Sequence, residues 1–329
     1  MFVDMGCHGS TTRTRAAGTN VSTIGRFGPP WEARLAVSGP FDIPEHLAEA
    51  GRAEGRESWL ATLPRTVADL ERRWAIEVGD PFRPGGQTAW VAPATHDGRD
   101  DLVVKVLWRH PEAEHEALGL RCWAGDGAVL LHDDVEVDAQ TTALLLERCR
   151  PGSTLQALRE PEQDLVVAGL LRRLWLEPPP GHPFPSLEAM CDQWATEFEA
   201  KATGRHPSLD PGLVRDGIAL FRDLPRSAER HALLATDLHA GNVLSAEREP
   251  WLAIDPKPHV GDPTYDALQH MLNCEGRLHA EPERLVARMA DLLDLDRERL
   301  RRWLIARCVQ ESVDWPGLAE VARVLASRT

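Results

Sequence analysis

Lysine is nearly absent from this chain: among 37 basic residues, Lys105, Lys201 and Lys257 are the lysines and all others are arginine. Arginine serves on most of a protein surface, so a retained lysine marks a position that needs a compact ammonium. Lys201 sits at a polar helix end, whereas Lys105 and Lys257 fall in the segments singled out below. Long apolar runs are missing too. No stretch approaches the roughly 18 residues of a membrane-spanning helix, which excludes a spanning helix. Cysteine is sparse and scattered. Cys7, Cys122, Cys149, Cys191, Cys274 and Cys308 form no C-x-x-C pair, which excludes that metal or redox motif and reads as free thiols in a reducing cytoplasm. Positive charge is short: 51 acidic residues leave a net charge of −14. A surface that acidic repels nucleic acid and anionic lipid and attracts cations. Neither nucleic acid nor membrane is expected as a partner; cationic partners are favoured.

What the chain does contain is enough for a sizeable core. Its 329 residues are 43% hydrophobic, which suits one large globular domain or two ordinary ones. Residues 1–38 are rich in Gly, Thr, Ser and Arg, have no periodicity, and lack the apolar core of a secretory signal. They read as a disordered extension. Order is expected from about Phe41, with a helix after Pro44 and a second through Thr66–Glu71. A β-meander follows: Trp74–Val78, Ala89–Ala94 and Leu102–Trp108, with the hairpin signal Asp97-Gly98 between the last two. A helix over 111–123 and strands at Val129–Leu131 and Ala143–Glu147 complete this part. Arg148–Gly152 breaks the pattern. Beyond it, helical periodicity recurs near 162–176, 186–202, 211–223, 263–273, 282–294, 297–312 and 316–327, interrupted by a β-type stretch at 233–255. The expected fold is α+β: a small, mainly-β lobe with one helix over 39–148 and a larger helical lobe over 149–329.

The chemistry concentrates in Leu233–Pro258, LLATDLHAGNVLSAEREPWLAIDPKP. Asp237 and Asn242 have the D-x-x-x-x-N spacing of a phosphotransfer catalytic loop, in which Asp takes the hydroxyl proton and Asn holds Mg²⁺. A strand at Val243–Ser245, a turn and a returning strand at Trp251–Asp255 bring Asp255 beside Asn242, so that two oxygen ligands can share a hard cation. Upstream parts match. Gly85-Gly86-Gln87 lies between the first two strands, where backbone N–H groups can approach phosphate oxygens; the same residues suit an ordinary hairpin turn equally. Lys105 is central in an apolar strand. Glu116, four residues before Leu120, can pair with it, with Glu112 and Glu114 as competing choices. Asp262 in Gly261-Asp262-Pro263 is placed as a helix N-cap. Lys257 either helps hold phosphate or balances Asp255.

These segments, with HEALGLRCWAGDGAV (115–129), LLLERCRPG (144–152), ATDLHAGNVL (235–244) and EPWLAIDPKPHVGDPTYDALQHMLNC (249–274), resemble the aminoglycoside and hydroxyurea antibiotic-resistance kinases over about residues 41–329. The resemblance implies a protein-kinase-like two-lobed fold, ATP with Mg²⁺ as phosphoryl donor and a small-molecule hydroxyl as acceptor. It also implies Asp237 as catalytic base, Asn242 and Asp255 as metal ligands, Lys105 with Glu116 as the phosphate-positioning pair, and the backbone of Glu147–Cys149 as the adenine contact. Related phosphotransferases carry His-Gly before the catalytic Asp; this chain has Ala235-Thr236, which leaves open how its catalytic loop is hydrogen-bonded. The expected activity is transfer to an aminoglycoside such as streptomycin. Alternatives are transfer to hydroxyurea or another hydroxylated natural product, an inactive kinase-like binding module, and a metal-dependent hydrolase using Asp237, His239 and Asp255.

Overall fold

The run Leu102–Trp108 lies in the middle strand of a five-stranded antiparallel sheet, where apolar and β-branched side chains pack on both faces. In the computed structural model, which describes residues 41–204 and 208–327, that strand is β3 (Arg99–Trp108). It pairs on one side with β2 (Ala89–His96) and on the other with β5 (Thr141–Glu147), and β1 (Glu77–Val78) and β4 (Leu131–Asp138) form the edges. Asp97 and Gly98 both have positive φ, 51° and 73°, the backbone that a two-residue hairpin requires. Val91 stands opposite Lys105, and Lys105 opposite Leu144. Val104 and Val106 are fully buried. The expected extension over 1–38 lies outside the described residues.

Trp74–Val78 is not one strand. Helix α2 (Glu57–Trp74) follows α1 (Glu45–Ala53) and runs through Trp74, and Ala75 ends it in the left-handed conformation. The short β1 is fastened by the Glu71 side chain, which accepts from the Val78 N–H at 3.0 Å. Helix α3 begins at Glu116 rather than 111 and ends at Trp123. The strand expected at Val129–Leu131 instead starts at Leu131 and continues through the acidic HDDVEVD. An edge position tolerates that composition, because charges on an exposed edge oppose pairing with another chain.

The helical part contains α4 (Glu160–Leu174), α5 (Leu187–Ala202), α6 (Pro211–Arg226), α7 (Pro263–Asp266), α8 (Leu268–Asn273), α9 (Glu275–Ala280), α10 (Pro282–Leu293), α11 (Arg297–Glu311) and α12 (Leu318–Ala326). The segment expected as one helix over 263–273 is thus two, and α9 was not anticipated. Helix α11 packs on α6, α10 and α12. It buries Leu300, Trp303, Leu304, Cys308 and Val309, each large apolar side chain contributing about 1.5–3 kcal/mol. Short strands carry the loops between: β6 (Ala232–Leu234) pairs with β9 (His259–Gly261), and β7 (Val243–Ser245) with β8 (Trp251–Ala253). No helix among the described residues is long and apolar enough to cross a membrane. The five described cysteines are free.

Candidate active site

The β7–β8 hairpin forms as the sequence indicates, Val243 opposite Ala253, and Ile254 N–H donates to the Asn242 carbonyl at 2.9 Å. That register puts Ile254 opposite Asn242 and Asp255 one residue beyond it. Lys105, from the middle of the sheet, donates to Asp255 Oδ1 at 2.5 Å and to both Glu116 carboxylate oxygens at 2.7 Å. The expected Lys105–Glu116 pair therefore forms, with Glu116 the first residue of α3. Both side chains are buried, whereas Asp255 is half exposed. Burial acts to lower the Lys105 pKa, but the carboxylates of Asp255 and Glu116 outweigh it and hold the ammonium above its ordinary value. Burial acts to raise the Asp255 pKa, and the charge and hydrogen bond of Lys105, with smaller contributions from Lys257 and His110, together keep that carboxyl below its ordinary value.

Asn242 ends a single turn of 3₁₀ helix (Ala240–Asn242) and donates through Nδ2 to the Asp237 carbonyl at 3.0 Å. Its Oδ1 and Asp255 Oδ2 take no hydrogen bond among the described residues. Two unengaged hard oxygens, on residues at the open end of one hairpin, fit a divalent cation such as Mg²⁺. His239 stabilises its own loop: Nδ1 accepts from the Gly241 N–H at 3.1 Å. Burial pushes this imidazole below its ordinary pKa, consistent with a neutral ring that accepts there.

The hydrogen bonding left open by Ala235-Thr236 has a definite answer. Thr236 has φ 50°, an uncommon conformation for a β-branched residue. Asp266 holds it there, its two oxygens accepting from the Ala235 N–H at 3.0 Å and the Thr236 N–H at 2.6 Å. Trp175 donates to the same carboxylate, and the Thr236 hydroxyl donates to the Lys257 carbonyl. Asp266 is fully buried, and desolvation raises its pKa to about 6. Asp262 caps α7 as expected, accepting from the Thr264 N–H at 2.9 Å.

The remaining expected positions are engaged to different degrees. Gly85 has φ 85°, and a Cβ there would lie 2.6 Å from Pro44, so this glycine is fixed by packing. The Gln87 carbonyl accepts from the buried Arg56 at 3.1 Å. Gly86 is unhindered, a Cβ there making only an ordinary contact, 3.8 Å from the Ala89 carbonyl oxygen. The Glu147 side chain accepts from the Leu130 N–H and pairs with Arg248. The Cys149 N–H meets no partner among the described residues. Sequence reasoning passed over Glu112 as a partner of Lys257: their charged atoms are 3.4 Å apart, and Lys257 Nζ is 3.0 Å from Asp237 Oδ2. The only signal was the cluster of acids in PEAEHEAL.

A five-stranded antiparallel sheet holding a buried lysine–glutamate pair, joined to a helical part that carries an Asp…Asn…Asp hairpin, is a protein-kinase-like fold, and the relatives of this chain are small-molecule kinases, the class to which it belongs. The aminoglycoside/hydroxyurea antibiotic resistance kinase family matches residues 73–317, and the chain belongs to that family. Streptomycin 6-kinase of Streptomyces griseus is 33% identical over 303 residues, which cover 88% of this chain and 96% of that protein. Hydroxyurea phosphotransferase of Kitasatospora aureofaciens is 36% identical over 294 residues, covering 86% and 82%. Choline kinase LicA from Streptococcus pneumoniae has a similar fold, with a TM-score of 0.54 at 12% identity over 81% of this chain and 96% of LicA.

Proposed function

We propose that this kinase transfers the γ-phosphoryl group of ATP to a hydroxyl of a small cationic molecule, an aminoglycoside such as streptomycin. The observation that carries this reading is the convergence of Lys105, Glu116 and Asp255, with Asn242 beside Asp255 and bonded to Asp237. Asp237 accepts the hydroxyl proton. Lys105, held by Glu116, positions the α- and β-phosphates. The unpartnered Cys149 N–H suits an adenine contact at the 147–149 connection between a small lobe (39–148) and a large one (149–329). Gly86 is the glycine-loop residue with room for a phosphate oxygen. Asn242 and Asp255 would hold Mg²⁺, which when bound neutralises charge on the β- and γ-phosphates. The net charge of −14 favours a cationic acceptor.

Hydroxyurea is the second reading, favoured by the 36% identity to the hydroxyurea phosphotransferase. A hydrolase reading finds little support, since His239 Nδ1 is engaged by its own loop. The test is ATP consumption across aminoglycosides, hydroxyurea and polyols, with product masses measured. Streptomycin that gains one phosphoryl group supports the first reading; consumption with hydroxyurea alone supports the second.

A further inference from the structure

Two lysines of this lysine-poor chain sit in matching arrangements. Lys105 lies between Asp255 and Glu116. Lys257 lies between Asp237 and Glu112. Each takes one aspartate from the catalytic segment and one glutamate from the stretch that leads into or opens α3, the two glutamates standing four residues apart. The first arrangement has a defined role in the phosphotransfer reading; the second leaves the role of Lys257 to be chosen between holding phosphate and balancing Asp255.

The backbone around Lys257 is tightly determined. Its N–H donates to the Ala235 carbonyl at 2.9 Å. Its carbonyl meets the Thr236 hydroxyl and His259 Nδ1. Prolines flank it on both sides, and Pro258 packs so closely on α3 that a Cβ on Gly119 would lie 2.4 Å from its Cγ. The role of balancing Asp255 belongs to Lys105, which takes Asp255 Oδ1. Lys257 instead engages Asp237 Oδ2 and remains a quarter exposed. Asp237 Oδ1 carries no hydrogen bond among the described residues. An ammonium has three donors, and two carboxylate partners leave one for a ligand.

We propose that Lys257, anchored by Glu112, orients the Asp237 carboxylate and places a positive charge on the transferring phosphoryl group. The proposal rests on the phosphotransferase reading. In the step, the acceptor oxygen forms a bond to the γ-phosphorus. The bond from that phosphorus to the β,γ-bridging oxygen breaks, and ADP leaves with its electron pair. The hydroxyl proton passes to Asp237 Oδ1. Lys257 keeps its proton throughout; it holds Oδ2 and stabilises charge through its third N–H.

The test uses the full chain with ATP, Mg²⁺ and whichever acceptor the wild-type protein phosphorylates. Lys257→Met keeps the aliphatic stem and removes the charge. It lowers kcat about 100-fold, the loss typical of removing one preorganised donor from a reacting group, with the KM for ATP unchanged. Lys257→Ala shows the same loss, and propylammonium, which replaces the missing side chain and its charge, restores part of kcat, whereas propanol does not. Glu112→Gln lowers kcat less than Lys257→Met. A purely structural lysine would give no recovery with the amine. Wild-type kcat in Lys257→Met, or a loss confined to the KM for ATP, or no recovery with propylammonium in a folded Lys257→Ala, overturns the proposal. If the wild-type protein consumes no ATP with any acceptor, the phosphotransferase reading itself fails and the proposal fails with it.

Discussion

Asp164→Asn isolates the charge at the centre of the helical part. Asp164 is on α4 and fully buried. Its Oδ1 faces His270 Nε2 of α8 at 2.9 Å and Arg277 of α9 at 2.7 Å, and its Oδ2 accepts from Arg277 at 2.8 Å and from Arg288 of α10 at 2.5 Å. One carboxylate therefore ties four helices. The cluster Asp164–His270–Cys274 has metal-ligating residue types, but two guanidinium groups already supply its positive charge. Burial acts to lower the His270 pKa; the hydrogen bonds to Asp164 and Cys274 and the charge of Asp164 together outweigh it and raise the imidazole from its ordinary 6.5 to about 9.

A folded-state pKa above the unfolded one means that this stabilisation is complete below about pH 6.5 and is lost as pH rises through about 9. The interval corresponds to about 3 kcal/mol. Asparagine cannot hold the proton on His270, and it turns an NH₂ toward arginine donors. Arg277 and Arg288 are partly exposed and recover solvent, so they add little to the cost. The expected cost of Asp164→Asn is about 3 kcal/mol at pH 6, the lower end of the range for breaking a buried ion pair. Urea unfolding followed by fluorescence of the 11 tryptophans measures it. The difference between wild type and variant shrinks as pH rises from 6 to 10. A difference below about 1 kcal/mol, or one that does not change with pH, refutes the reasoning.

Asp237→Ala lowers kcat by about 10²–10⁴-fold, the usual contribution of a general base, and leaves ATP binding intact by calorimetry. Gly119→Ala drives a methyl into Pro258 and Trp123 and destabilises by about 1–3 kcal/mol. It also lowers activity, because α3 carries Glu116 and the 255–258 segment carries Asp255; thermal unfolding and turnover check both effects. Ala124→Gly, at a helix end with φ 48°, removes left-handed strain and raises stability by about 1 kcal/mol, read as a higher melting temperature with unchanged kcat.

The site was legible where local chemistry and strand pairing coincide. LVVKVLW marks a two-sided buried strand by its apolar run, and the lysine that interrupts it is the exception that singles out the position. The spacing from Asn242 to Asp255 follows from hairpin closure alone, which is why it could be read without tertiary information. Glu112 was not legible as a partner of Lys257, because HPEAEHE presents three acids within one turn-like stretch, and the choice among them depends on where α3 begins. The Thr236 conformation was equally hidden, since Asp266, thirty residues downstream, is what stabilises it. Acidic β4 was misplaced because Asp is depleted in strands as a class, while an edge strand tied to Trp74 and Arg121 through Asp133 and Asp134 tolerates it. Trp74–Val78 misled for a related reason: a helix end and a two-residue strand together have no period of their own.

The most direct test of the central claim is mass spectrometry of acceptor mixtures incubated with ATP, Mg²⁺ and either the wild-type chain or Asp237→Ala. A hydroxylated cationic acceptor, streptomycin first, is expected to gain one phosphoryl group with the wild type and none with the variant. Equal product from both proteins would contradict it.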